Sequence, residues 1–131
     1  MGAWGEGVLE NDEALDWVGD LEDDPRLETV MEALTDATRG DGLDVHEGTV
    51  ALVAAELVAA ARGRSDEERL VALAQRWPEL AEQADLAARA VVAVADPDGS
   101  ELTELWTEDG PNPEWDAVLS DLRRRLQLDR Q

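Results

Sequence analysis

The stretch Thr49–Ala61, TVALVAAELVAAA, decides the fold. It is apolar on every side except at Glu56 and contains no Gly or Pro, the pattern of a helix packed around most of its circumference. Its thirteen residues fall short of the roughly 20 that a bilayer span requires, so it reads as a core helix rather than an anchor. Val50, Leu52, Val53, Leu57 and Val58 supply bulk, while Ala51, Ala55 and Ala59 form a narrow strip where a neighbouring helix can come close. Glu56 lies among Leu52, Val53, Ala59 and Ala60 on the helix surface. A carboxylate placed there must be answered, because burying an unpaired charge is costly.

Outward from this stretch the chain reads as helices separated by breakers. Asn11 or Asp12 caps a first helix to about Asp23, with Ala14, Leu15, Trp17, Val18 and Leu21 inward. Asp24 followed by Pro25 predicts a second start, with Leu27, Val30, Met31 and Leu34 buried and Gly40 as the stop. The segment RGDGLDVHEG is expected to be a loop leading into the central helix, which Gly63 ends. Ser65 with Glu68 has the spacing of a capping box, opening a helix with Leu70, Leu73, Ala74 and Trp77 in a stripe. A fifth helix is expected from Pro78 to about Ala95, stopped by the DPDG turn at 96–99. Ser100 caps a short segment, SELTELW, and Asn112–Pro113 opens a last helix bearing Trp115, Val118, Leu119, Leu122 and Leu126. No stretch alternates as a strand would, so the fold class is all-α, a single compact domain of roughly five to seven helices around the central one. Residues 1–131 form that one domain, with 1–10 an irregular N-terminal segment packed on it.

Composition narrows the function classes. Cysteine is absent, which removes disulfides, thiol nucleophiles and thiolate metal sites; with no secretory pattern at the N-terminus, the cytoplasm is the expected compartment. The balance of 32 acidic against 11 basic residues gives a formal net charge of −21, which opposes binding to nucleic acid or to an anionic membrane. The expected partner is a protein with a cationic or neutral surface. Five Trp are the only aromatic residues, so each is expected to anchor a core or an interface.

The opening MGAWGEGVLENDEALDW, AAELVAA around Glu56, the DPDG turn and SELTELW at 100–106 together resemble a bacterial family known as the domain of unknown function 4259. The resemblance covers nearly the whole chain, and MGAWG followed by N-D-x-A-L-D-W is its specific part. It implies a small helical domain and no established activity. His46 and the run Arg123–Arg125 stand outside the pattern.

Glu56 is the sharpest candidate residue. A buried carboxylate has the raised pKa that a general base needs, but neither a second catalytic group nor a ligand spacing accompanies it. The favoured reading is a structural buried carboxylate, accepting bonds from backbone N–H groups, a Trp indole or an Arg. The opening is the proposed source: Gly2, Trp4 and Gly5 form an N-terminal anchor that folds back over the central helix and presents N–H groups to Glu56. Asp12, Asp16 and Asp20 recur at i, i+4 and i+8, with Glu13 beside them, and are expected to form a solvated or partner-binding face. A helix face spreads carboxylates too far apart to encircle one ion, and neither DGLD at 41–44 nor DPDG at 96–99 fits an EF-hand loop. The lone His46 excludes a histidine-rich metal centre and reads as an exposed loop residue.

Neither a metal nor a cofactor is therefore expected. The function expected from sequence is a non-catalytic acidic protein-binding domain of immunity or adaptor type, with mimicry of a nucleic-acid backbone as one version. The competing class is a small hydrolase or metal-dependent enzyme using Glu56 with acidic residues of the first helix, which requires Glu56 to open into a pocket beside Asp12 or Asp16. If the acidity is a surface property, stability should rise with monovalent salt as repulsion is screened, and calorimetry should find no stoichiometric micromolar binding of Ca²⁺ or Mg²⁺.

Overall fold

The computed structural model describes residues 5–127, which form seven α-helices and one 3₁₀ segment, with no strand among the described residues. α1 (Asp12–Asp23) begins at Asn11, whose side-chain oxygen accepts from the Ala14 N–H at 2.7 Å. α2 (Leu27–Ala37) starts two residues later than Asp24–Pro25 suggests. Asp24 instead closes α1, its N–H bonded to the Asp20 carbonyl, and its carboxylate takes the Arg26 Nε at 2.9 Å, so it has no cap to give.

α3 (Val45–Ala61) begins four residues before the apolar run. Asp44 accepts from the Glu47 N–H at 2.7 Å and Glu47 accepts from the Asp44 N–H at 3.0 Å, a capping box that draws what reads as loop into the first turn. His46 therefore sits on a helix, exposed, with Nδ1 3.1 Å from Glu13 Oε1. α4 (Glu68–Ala74) lacks the expected box, because the Ser65 hydroxyl receives the Glu67 N–H at 3.2 Å inside the turn. The expected fifth helix is divided into a 3₁₀ segment (Pro78–Gln83) and α5 (Ala84–Ala95). Near that junction the Ala81 carbonyl accepts from Arg62 Nη1 at 2.8 Å. α6 (Glu101–Trp106) is capped by Ser100, and α7 (Pro113–Gln127) by Asn112, which accepts from the Trp115 N–H at 3.0 Å.

Every residue of α3 from Gly48 to Ala60 is buried, and α3 touches each of the other helices and the 3₁₀ segment. Each large aliphatic side chain so buried is worth about 1.5–3 kcal/mol relative to exposure, which explains why this element organises the rest. No helix among the described residues is long and apolar enough to cross a membrane. The turns before α3 and α6 are joined by a parallel bridge, with the Leu43 N–H on the Gly99 carbonyl at 2.7 Å and the Glu101 N–H on the Leu43 carbonyl at 2.9 Å. The α6–α7 corner is closed by Trp115, 2% exposed, whose ring stacks on the half-buried Trp106 with centroids 5.8 Å apart.

Two helical glycines make opposite predictions. A Cβ at Gly48 would lie 3.1 Å from Leu102 Cβ, where α3 crosses α6, whereas a Cβ at Gly19 of α1 would meet nothing within 4 Å. Alanine favours a helix by about 1 kcal/mol over glycine, and overpacking a tight crossing costs about 1–3 kcal/mol. Gly19→Ala should therefore raise the urea midpoint, and Gly48→Ala should lower it, with the slope unchanged in both.

Candidate functional site

Glu56 is 3% exposed, and a partner sixty-nine residues along the chain answers it. Arg125, in the last turns of α7, donates from Nη1 to Glu56 Oε2 at 2.6 Å and from Nη2 to Glu56 Oε1 at 2.9 Å. The same guanidinium reaches the Arg64 carbonyl through Nη1 at 2.8 Å and Asp121 Oδ2 through Nε at 2.8 Å. This fork-to-fork arrangement is the geometry in which Arg neutralises a carboxylate most effectively. The hydrogen bonds it donates to Glu56, opposed by desolvation and reinforced by the carboxylate's charge, hold the Arg125 proton more tightly than usual. Asp121 is held below the ordinary carboxylate range, first by its bond to Arg124 at 2.7 Å and then by Arg125.

An Arg is among the partners expected for a structural carboxylate at Glu56. The described bonds to Glu56 come from Arg125, not from the opening of the chain. Gly2 and Trp4 of the proposed anchor lie outside the described residues. Gly5 is described, and its glycine character serves a local turn: a Cβ there would fall 2.6 Å from Glu10 Oε2, and one at Gly7 would fall 2.5 Å from Glu10 Oε1. Those glycines leave room for the Glu10 carboxylate, which accepts the Gly7 N–H at 2.9 Å. Residues 5–8 do meet α3, around a cavity of about 20 Å³ that Thr49, Leu52, Leu102, Trp106 and Trp115 complete. Glu6 accepts from Asn112 Nδ2 at 3.1 Å, which ties the opening to the α6–α7 corner.

The acidic residues of α1 face outward. Asp12, Glu13, Asp16 and Asp20 are exposed, opposite the buried Ala14, Val18 and Leu21. Glu13 meets His46, and Glu22 takes Arg69 at 2.7 Å; Asp12, Asp16 and Asp20 have no ion pair among the described residues. Glu56 is buried and held by Arg125, whereas Asp12 and Asp16 are exposed. A carboxylate with both oxygens in a guanidinium fork is poorly placed to accept a substrate proton.

Sequence reasoning missed Arg125 as the partner, and it missed a second carboxylate nearby. Glu67 is pushed above its ordinary value, first by desolvation, then by the charges of Glu56 and Asp66, with Arg125 opposing and Glu10 adding to the rise. A raised carboxylate pKa means that ionisation of Glu67 is harder in the folded chain, so its negative charge opposes folding above that pKa. Glu67→Gln should therefore stabilise the protein at neutral pH, and the advantage should shrink as pH falls through the Glu67 titration. Paired thermal melts across pH 4 to 7 measure it, and a difference that grows on acidification would contradict the assignment.

No curated protein and no solved structure matches this chain. A family model does, over residues 2–118, a span that contains Glu56 and stops short of Arg125. With that match covering most of its length, the chain belongs to the family described as domain of unknown function DUF4259.

Proposed function

We propose that this domain is a non-catalytic protein-binding module of the bacterial cytoplasm, of immunity or adaptor type, whose acidic α1 face engages a protein with a cationic or neutral surface. The observation that carries the reading is the row Asp12, Asp16 and Asp20, exposed and without ion pairs among the described residues. On a helix these positions span about 12 Å, a spacing that suits several separate cationic side chains rather than one ion. The half-buried Trp17 lies in a surface groove with Asp20, Asp23 and Asp24, of which Asp24 is already taken by Arg26 and the other two have no ion pair among the described residues. An aromatic face edged by carboxylates is the environment in which a partner's Arg is held by ring and charge together.

The test is reversal of the row. Asp12→Lys, Asp16→Lys and Asp20→Lys together should leave folding intact and weaken a purified partner, identified by crosslinking in the source cytosol, by about tenfold or more in direct titration. A matched reversal at the exposed Glu101, Glu104 and Glu108 should leave affinity nearly unchanged. A partner whose affinity ignores the α1 row would sink this reading.

A further inference from the structure

We propose that the groove between α5 and α7 is a second docking surface, of opposite polarity, for a partner helix with one apolar stripe edged by carboxylates. The groove has a volume of about 940 Å³. Ala84, Ala88 and Val92 supply its α5 wall, Leu126 lies at its α7 side, and Arg89 and Arg123 also line it. The three α5 residues recur at i, i+4 and i+8 and so form one stripe of about two turns. Val92 is 48% exposed, one of the few large apolar side chains so open to solvent.

The arginines point to the kind of partner. In a chain with 32 acidic residues and 11 basic ones, carboxylates are abundant, and Arg26, Arg39, Arg69, Arg124 and Arg125 all take one. Arg89 and Arg123 are exposed and take none among the described residues. Asp85 stands one turn before Arg89, the favourable order for a helical ion pair, yet the two do not bond. On α7, the positions one turn from Arg123 are Leu119, Ser120 and Gln127, none of them acidic. The exposed Arg76 takes none among the described residues either, but it does not line this groove; here two unneutralised guanidiniums face one apolar stripe in a molecule of formal net charge −21. Glu82 and Asp85 line the groove as well, so the complementary carboxylates of the partner belong over Arg89 and Arg123 rather than over the start of α5. An amphipathic helix supplies both features at once, with an apolar row for Ala88 and Val92 and flanking Asp or Glu for the two arginines.

The test uses the ¹⁵N-labelled full chain at about 0.15 M salt, where screening beyond about 8 Å limits repulsion from the remote acidic faces. The probes are two synthetic helical peptides with the same Ala/Leu stripe, one flanked by Glu and one by Lys. The Glu peptide should shift amides in 84–92 and 119–127 and saturate, and the Lys peptide should not. Arg89→Glu with Arg123→Glu should weaken the Glu peptide about tenfold, while Arg89→Gln with Arg123→Gln should weaken it about threefold. Both variants should melt as the wild type does, since both side chains are exposed. Shifts confined to other surfaces, equal binding of the two peptides, or affinity unchanged in both variants would overturn the proposal. So would a dimer whose dissociation on dilution shifts these same amides, because the groove would then belong to a second copy. None of these outcomes touches the α1 face, so this proposal and the preceding one stand or fall separately.

Discussion

Replacing Arg125 by Met should lower the melting temperature by about 9–20 °C. The substitution keeps much of the apolar stem but leaves Glu56, with 4% of its side chain exposed, without its cation. Removing one partner of a buried pair costs about 3–5 kcal/mol, because the remaining charge keeps its desolvation penalty and loses its compensation. For a chain of 131 residues each kcal/mol moves the midpoint by about 3–4 °C, which sets the expected fall. The informative comparison is Glu56→Leu combined with Arg125→Met. Replacing a buried ion pair by apolar side chains is often neutral or stabilising, so the double variant should recover most of the loss, although Arg125 also serves Asp121 and the Arg64 carbonyl. If the single variant melts like the wild type, the pair is not what stabilises the α3–α7 contact.

The second large effect is expected at the corner. Trp115→Ala should cost about 3–5 kcal/mol, as for other fully buried aromatic side chains. It removes a ring that is 2% exposed, its stack on Trp106, and the indole bond to Thr103 Oγ1 at 3.1 Å. Trp115→Phe separates these contributions. The Thr103 hydroxyl still donates to the Val94 carbonyl, so losing the indole N–H leaves no buried donor unsatisfied, and the cost should stay near about 1–2 kcal/mol. Trp106→Ala, at a half-buried position, should fall below Trp115→Ala. Urea unfolding of the three variants orders them, and a Trp106 effect equal to that of Trp115 would contradict this account of the corner.

The parts legible in the sequence are those set by near neighbours along the chain. The Asn11 and Asn112 caps, the uniform burial of the central helix and the stripe Trp115, Leu119, Leu122, Leu126 all follow from local pattern. The early start of α3 was also written locally, in Asp44 and Glu47, but Gly48 and the polar residues before it mask the signal. Arg62 comes from a different part of the chain to meet Ala81, and nothing local to Pro78–Ala95 announces that contact near the change of winding. The partner of Glu56 lies sixty-nine residues away, beyond the reach of any periodicity. Helical geometry does narrow the choice within the run of three. Arg123 and Arg125 flank the buried stripe of α7 on opposite edges, whereas Arg124 faces away, with 62% of its side chain exposed. One flanking arginine meets Glu56 and the other reaches the α5 groove.

The sixty-nine-residue separation of Glu56 and Arg125 also sets an order of events when the chain is made. At about 5–20 residues per second, roughly 3–14 s pass between synthesis of the carboxylate and synthesis of its counter-ion. Throughout that interval the most apolar helix of the nascent chain carries a charge with no guanidinium fork to meet it. Burying Glu56 early would incur the desolvation penalty without compensation, so the half-made protein is biased to keep that face of α3 in water. α7 thus brings the counter-ion of a carboxylate made much earlier, and a chain stalled before Arg125 carries the same unpaired charge, and the same expected loss of stability, as the Arg125→Met variant.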